Sequence, residues 1–254
     1  MGYQIEYIHE KLFEMMTVFD SFCKENHLEY YLIGGSALGA LRHNGFIPWD
    51  DDVDVALKRK DFEKMEDILK NQMGNHLGRT FAYVPTEHNG PTGHLYYYFK
   101  DVKQKEKWIA IDIYPLDNVP SSILAQEIQR IFCQVYHLAT YRMPPKNRGR
   151  LMRVGSQLVL KCSTKAFLDR IESMSKKIIT YWNSKNTQMI SNLFGIAGYK
   201  KEMVPNIYFG NSIPHKFETG VFPIPERSHE YMQHIYGNYM ELPPIEKRVP
   251  KHLL

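Results

Sequence analysis

The stretch Gly34-Gly35-Ser36-Ala37-Leu38-Gly39-Ala40-Leu41-Arg42-His43-Asn44-Gly45-Phe46-Ile47-Pro48-Trp49-Asp50-Asp51-Asp52-Val53-Asp54 joins a glycine turn to four carboxylates in five positions. Before it, Tyr30-Tyr31-Leu32-Ile33 is a short apolar run. After the glycines, Ala37, Leu38, Ala40 and Leu41 predict a helix with Ser36 as its cap. Gly45 and Pro48 then break the chain, and Val53-Asp54-Val55-Ala56-Leu57 alternates acidic and apolar residues as a strand does. Strand, tight turn, helix, strand is the expected order.

Crowded carboxylates repel one another, and partial burial raises that cost, so a cation is expected at Asp50–Asp54. Residues two apart in a strand share a face with Cα atoms ~7 Å apart. Asp52 and Asp54 therefore converge on one or two divalent ions, while Asp51 and Val53 face the other way. A further carboxylate, Asp112, is the only charge in the apolar run Trp108–Tyr114. Together Asp52, Asp54 and Asp112 form a candidate Mg²⁺ or Mn²⁺ site beside a nucleotide's diphosphate. Backbone N–H groups of Gly34, Gly35 and Ser36, at a helix N-terminus, suit the donor phosphates, and Arg42 on that helix adds a positive charge. Each piece alone has a plainer reading: an acidic run suits a solvated turn, and Asp112 a turn cap before Pro115. The order Gly-Gly-Ser, short helix, Asp-x-Asp, distant Asp is what carries weight.

Working outward, Ile5, Ile8, Leu12, Met15, Phe19 and Phe22 predict an amphipathic helix over 4–27, and a further helix spans about Arg59–Lys70. The runs His94–Phe99 and Trp108–Tyr114 read as a hairpin across the charged turn Lys100–Lys107, after a loop at Val84–Gly93. From Ser121 to about Trp182 the pattern is helical, interrupted at Met143–Arg150, and a last helix covers roughly Glu226–Tyr236. The expected fold class is α/β (α+β), a mixed sheet with flanking helices and a helical insertion. The expected organisation is a catalytic core over 1–120, a helical subdomain over 121–197 and a C-terminal segment over 198–254 that completes the site.

With 32 basic and 28 acidic side chains the net charge is +4. That is no charge excess of the kind a nucleic-acid-binding module carries, so no nucleic acid partner is expected. Hydrophobic and charged fractions of 43% and 24% exclude a disordered polyelectrolyte or a rod. No apolar run reaches the ~20 residues of a membrane span, and the first residues lack a signal-peptide pattern, so a cytoplasmic location is expected. Cys23, Cys133 and Cys162 are widely spaced in apolar stretches and read as buried free thiols. Basic residues gather at 146–153, where they suit an anionic membrane surface as well as a solvated face, and again at 247–251. His43 and His94 have no partner at metal-ligand spacing and read as structural.

The Gly34–Asp54 stretch resembles the signature of the LicD family, which includes bacterial phosphocholine transferases and is related to fukutin-type ribitol-phosphate transferases. Ile111-Asp112-Ile113-Tyr114-Pro115-Leu116-Asp117, Phe222-Pro223-Ile224-Pro225, Tyr236-Gly237-Asn238-Tyr239-Met240 and Leu242-Pro243-Pro244 resemble its later blocks, while 121–197 matches no motif. The resemblance implies a nucleotidyltransferase-like core. It also implies transfer of a phospho-alcohol, phosphocholine first, from a CDP-alcohol donor such as CDP-choline to a hydroxyl of a glycan or lipid-linked glycan, with release of CMP. Carried over, Asp52, Asp54 and Asp112 become metal ligands and catalytic residues, and Gly35 and Ser36 the phosphate cradle. Trp49 and the Tyr96–Tyr98 run are candidates to line the donor, and the block beside Arg248 favours a donor role for it. Ordinary nucleotidyl transfer to a small-molecule hydroxyl is the alternative that the same motifs permit.

Overall fold

The computed structural model describes residues 2–71, 76–77, 81–84, 93–97, 109–143, 149–195 and 197–250. Helix α1 (Gly2–Glu25) buries Ile8, Leu12, Met15, Met16, Phe19 and Phe22, the stripe that its three-and-four spacing requires. Strand β1 (Tyr30–Leu32), helix α2 (Gly34–His43), strand β2 (Val53–Lys58) and helix α3 (Arg59–Asn71) follow. Then come β3 (His76–Leu77), β4 (Phe81–Val84), β5 (Gly93–Tyr97) and β6 (Ile109–Val119). The eight-stranded sheet runs β1-β2-β6-β5-β4-β3, with β7 (Met189–Ser191) on the far end of β6 and β8 (Met203–Pro205) on β7. Among the described strands of this sheet only the β2–β6 pair is parallel, the others being antiparallel.

The mixed sheet with flanking helices matches the expectation, and β5 and β6 pair antiparallel as the hairpin reading requires. The turn Lys100–Lys107, the greater part of the Val84–Gly93 loop, and Pro144–Arg148 of the basic loop lie outside the described residues. Short β3 and β4 carry too little pattern to be read, and β6 continues through Pro115 to Val119 rather than ending at Tyr114. Beyond Pro115 the strand turns from β5 to pair with β7, so proline removes no needed donor on the β5 side.

The helical stretch is three helices, Ile123–Tyr141, Gly149–Cys162 and Lys165–Thr180. Their second break is set by Thr164, whose hydroxyl accepts the Phe167 N–H at 3.3 Å and starts the last of them. A satellite core of Val119, Cys133, Tyr136, Ile179 and Leu193 joins two of these helices to the β6–β7 end of the sheet. Cys23 and Cys133 are buried, but Cys162 is exposed, because it ends a helix instead of lying in its interior. The last helix is Ser228–Tyr236, preceded by the hairpin β9 (Ile213–Phe217) and β10 (Gly220–Ile224).

Candidate active site

The glycine turn is clipped to the acidic strand by two hydrogen bonds. Ile33 N–H donates to the Asp54 carbonyl at 3.0 Å, and Asp54 N–H donates to Ser36 Oγ at 2.9 Å. Ser36 is therefore not the helix cap: α2 begins at Gly34, and Ser36 sits within its first turn, bonding across to β2. Gly34 has φ +54°, and a Cβ there would lie 2.6 Å from Asp54 Oδ2. A Cβ on Gly35 would lie 2.5 Å from Asp50 Oδ2. The two glycines are what lets the turn and the carboxylates occupy one place.

The parallel register sets Asp54 directly opposite Asp112, with buried Val53 and Val55 facing Ile111 and Ile113 on either side. Asp112 is also the register partner of His94 on β5. Strand alternation thus puts Asp54, Asp112 and Tyr114 on one half-exposed face. Just upstream, Asp50, Asp51 and Asp52 each offer a carboxylate oxygen, and those oxygens lie within 4.8 Å of one another. Asp50 and Asp51 are buried, and Asp52 half-buried. Asp51 does not face away, because the strand begins only at Val53 and the alternation rule does not reach it. This all-oxygen donor set is of the kind that a hard divalent cation takes.

Two tyrosines face these acids. Tyr114 O–H donates to Asp112 Oδ2 at 3.4 Å, and its phenol is pushed well up by burial and then by the charges of Asp54, Asp112 and Asp52. Tyr236 is likewise raised, by desolvation of its hydroxyl and then by Asp54, Glu202, Asp50 and Asp52. Tyr114 was legible as the i+2 neighbour of Asp112 on a strand; Tyr236 arrives from a helix some 180 residues downstream of Asp54, and no local signal marks it.

The residues expected at the donor end meet as well. The Arg248 guanidinium lies 5.6 Å from the centroid of the Trp49 ring, and its Nε–H donates to the Pro243 carbonyl at 2.8 Å. His43 meets the other side of the cluster, edge-on to Trp49 at 6.4 Å, and accepts from Arg42 Nε at 3.0 Å. Arg42 Nη1 donates to the Tyr239 carbonyl at 3.0 Å, and burial and the Arg248 charge lower its pKa. Arg42 and Arg248 are both half-buried, and each guanidinium donates to a backbone carbonyl. Tyr98, Lys251 and His252 lie outside the described residues, as do the side chains of Tyr96 and Tyr97.

The framework is held from behind. Glu218, at the turn of the β9–β10 hairpin, donates its N–H to the Asn44 carbonyl at 2.7 Å and accepts the Phe46 N–H at 3.0 Å. A ring nitrogen of His9 bonds the Asp50 carbonyl at 2.7 Å while the ring stacks on Phe46 at 4.3 Å. Arg59 makes a buried bidentate pair with Asp117, at 2.8 and 2.7 Å, to which Asn183 adds a bond at 2.6 Å. Arg59 and Asp117, at the foot of the β2–β6 pair, were not singled out in the sequence, where each reads as an ordinary surface charge.

Residues 27–137 match the family described as LicD/FKTN/FKRP, nucleotidyltransferase domain. The lipopolysaccharide cholinephosphotransferase LicD of Haemophilus influenzae is 25% identical over 248 residues, covering 94% of this chain and 92% of that protein. Ribitol 5-phosphate transferase FKRP of mouse and human is 42% identical over 48 residues, 19% of this chain and 10% of those proteins. The glycine turn, the acidic run and Asp112 all fall within the segment that matches this family's nucleotidyltransferase domain.

Proposed function

We propose that the protein is a metal-dependent phosphotransferase that moves a phospho-alcohol, phosphocholine first among the candidates, from a CDP-activated donor to a hydroxyl of a surface glycan or its lipid-linked precursor. The acceptor class covers teichoic acid, lipopolysaccharide and capsule. The observation that carries the reading is Asp54, which faces Asp112 across the parallel register and packs against Gly34 of the turn. The near full-length similarity to a cholinephosphotransferase supports it.

Asp52, Asp54 and Asp112 would hold the Mg²⁺ or Mn²⁺, with Asp50 and Asp51 completing the charge. Bound there, the ion supplies charge neutralisation on the diphosphate. The chain's own part is positioning. Arg42 and Arg248 bind the donor phosphates, Trp49 packs against the donor, and the α2 N-terminus presents N–H groups to an anion. An acceptor hydroxyl attacks the donor's β-phosphorus, the bond to the bridging oxygen breaks, CMP leaves, and an aspartate carboxylate takes the hydroxyl proton.

Incubation with CDP-choline, CDP-ribitol and CDP-glycerol, Mg²⁺ and purified surface glycans tests this. Free CMP with a phospho-modified glycan is expected. A nucleotide-modified acceptor with released phospho-alcohol would establish ordinary nucleotidyl transfer instead.

A further inference from the structure

Helix Gly149–Cys162 has a sidedness that the fold does not use. Ser156 is buried and Leu160 half-buried, so that face turns toward the protein. At 100° per residue, Val154, Leu158 and Cys162 fall on the opposite face, and Val159 lies at its edge, about 60° from Ser156. Val154, Leu158 and Val159 are 46%, 58% and 49% exposed, and Cys162 is exposed too. Arg150, Arg153 and Lys161 flank this apolar stripe, all exposed, and the helix contains no acidic residue.

The charge is concentrated to match. Residues 149–180 carry seven basic and two acidic side chains, a net +5 within a chain whose total is +4. Phe167, at the start of the following helix, is also half-exposed. No described helix is long and apolar enough to cross a membrane. A short helix with an outward apolar stripe and a cationic flank lies in the headgroup region of an anionic bilayer.

We propose that helix Gly149–Cys162 docks the protein on an anionic phospholipid surface, with Val154, Leu158 and Val159 entering the headgroup boundary and Arg150, Arg153 and Lys161 meeting lipid phosphates. Docking goes beyond the transferase reading and does not need it, since it is measured without donor or acceptor.

The test is co-sedimentation of the full chain with vesicles of phosphatidylglycerol in phosphatidylcholine, against pure phosphatidylcholine vesicles. Partitioning at least about tenfold stronger on the anionic vesicles is expected, falling steeply with salt. V154S/L158S/V159S and R150E/R153E/K161E should each lose about tenfold or more of that binding, with unchanged melting temperature. Equal partitioning on both vesicle types, or wild-type binding by both variants, would overturn the proposal. So would self-association by sedimentation velocity that V154S/L158S/V159S abolishes while vesicle binding is absent, which would assign the stripe to a second copy.

Discussion

Asp54 and Asp112 stand opposite one another on the parallel β2–β6 strand pair, two carboxylates in one register. Directly opposed like charges destabilise a pair of strands unless something positive lies between them. Neutralising one of them, by Asp54→Asn or Asp112→Asn, should therefore raise stability in EDTA by up to ~1 kcal/mol. The same changes should lower CMP release by about 10²–10³. Mg²⁺ should raise the wild-type melting temperature and lose most of that effect in either variant. Thermal melts with and without EDTA, beside the activity assay, separate the two consequences; near-wild-type turnover in both variants removes these carboxylates from the chemistry.

The glycine turn should tolerate no side chain. At Gly34 alanine adds an unfavourable positive φ to a Cβ 2.6 Å from Asp54 Oδ2, while at Gly35 only the contact with Asp50 Oδ2, 2.5 Å away, opposes it. Gly34→Ala should cost ~1–3 kcal/mol in chemical denaturation and Gly35→Ala less. Both should lose activity beyond what stability explains, because a displaced Asp50 or Asp54 leaves the cluster. Full activity in Gly35→Ala would show that the close approach is incidental.

What was legible in the sequence is what local chemistry dictates. Gly34-Gly35 and Asp52-x-Asp54 announce their neighbourhood because glycine and crowded carboxylates are costly without a reason, and Asp112 because a lone charge in an apolar strand needs company. Trp49 was a candidate because it adjoins the acidic run and Arg248 because it follows a family block; separated by about two hundred residues, they meet ring to guanidinium. Arg59 was silent and Asp117 entered only within a family block, since a buried ion pair between a helix start and a strand leaves no periodic trace. Ser36 was misread because the same Ser after two glycines caps a helix or bridges to a strand, and only the position of Asp54 decides which.

Arg59 and Asp117 seal the foot of the pair that carries the acids. Both are buried, so removing one leaves the other charged and unsatisfied. Asp117→Ala should cost ~3–5 kcal/mol in urea denaturation, and Arg59→Met with Asp117→Leu together much less. Additive losses in the double variant would mean that the pair is not the source of the cost.

At the donor end, Arg248→Gln should raise KM for the CDP-alcohol by about tenfold with little change in kcat, because it removes binding common to ground and transition states. Trp49→Ala should act in the same direction and couple with it in a double-mutant cycle, since the ring and guanidinium are in contact. A drop in kcat at constant KM would move Arg248 from donor binding to the transferring phosphoryl group.

The C-terminal segment is pinned to β1 by Glu29, whose carboxylate accepts the Ser212 N–H at 2.9 Å and lies 3.5 Å from Lys58 Nζ. Burial works against its ionisation, but the bonds from Ser212 and Tyr31 and the Lys58 charge outweigh it, so its pKa lies below the ordinary 4.5. A carboxyl held lower in the folded than in the unfolded state stabilises fully above pH 4.5 and loses that contribution as pH falls through the folded value. The wild type should therefore lose more melting temperature between pH 6 and about 3 than Glu29→Gln does, the variant being less stable at neutral pH and converging with the wild type in acid. Parallel melting curves across that range would show that Glu29 does not hold the segment by its charge.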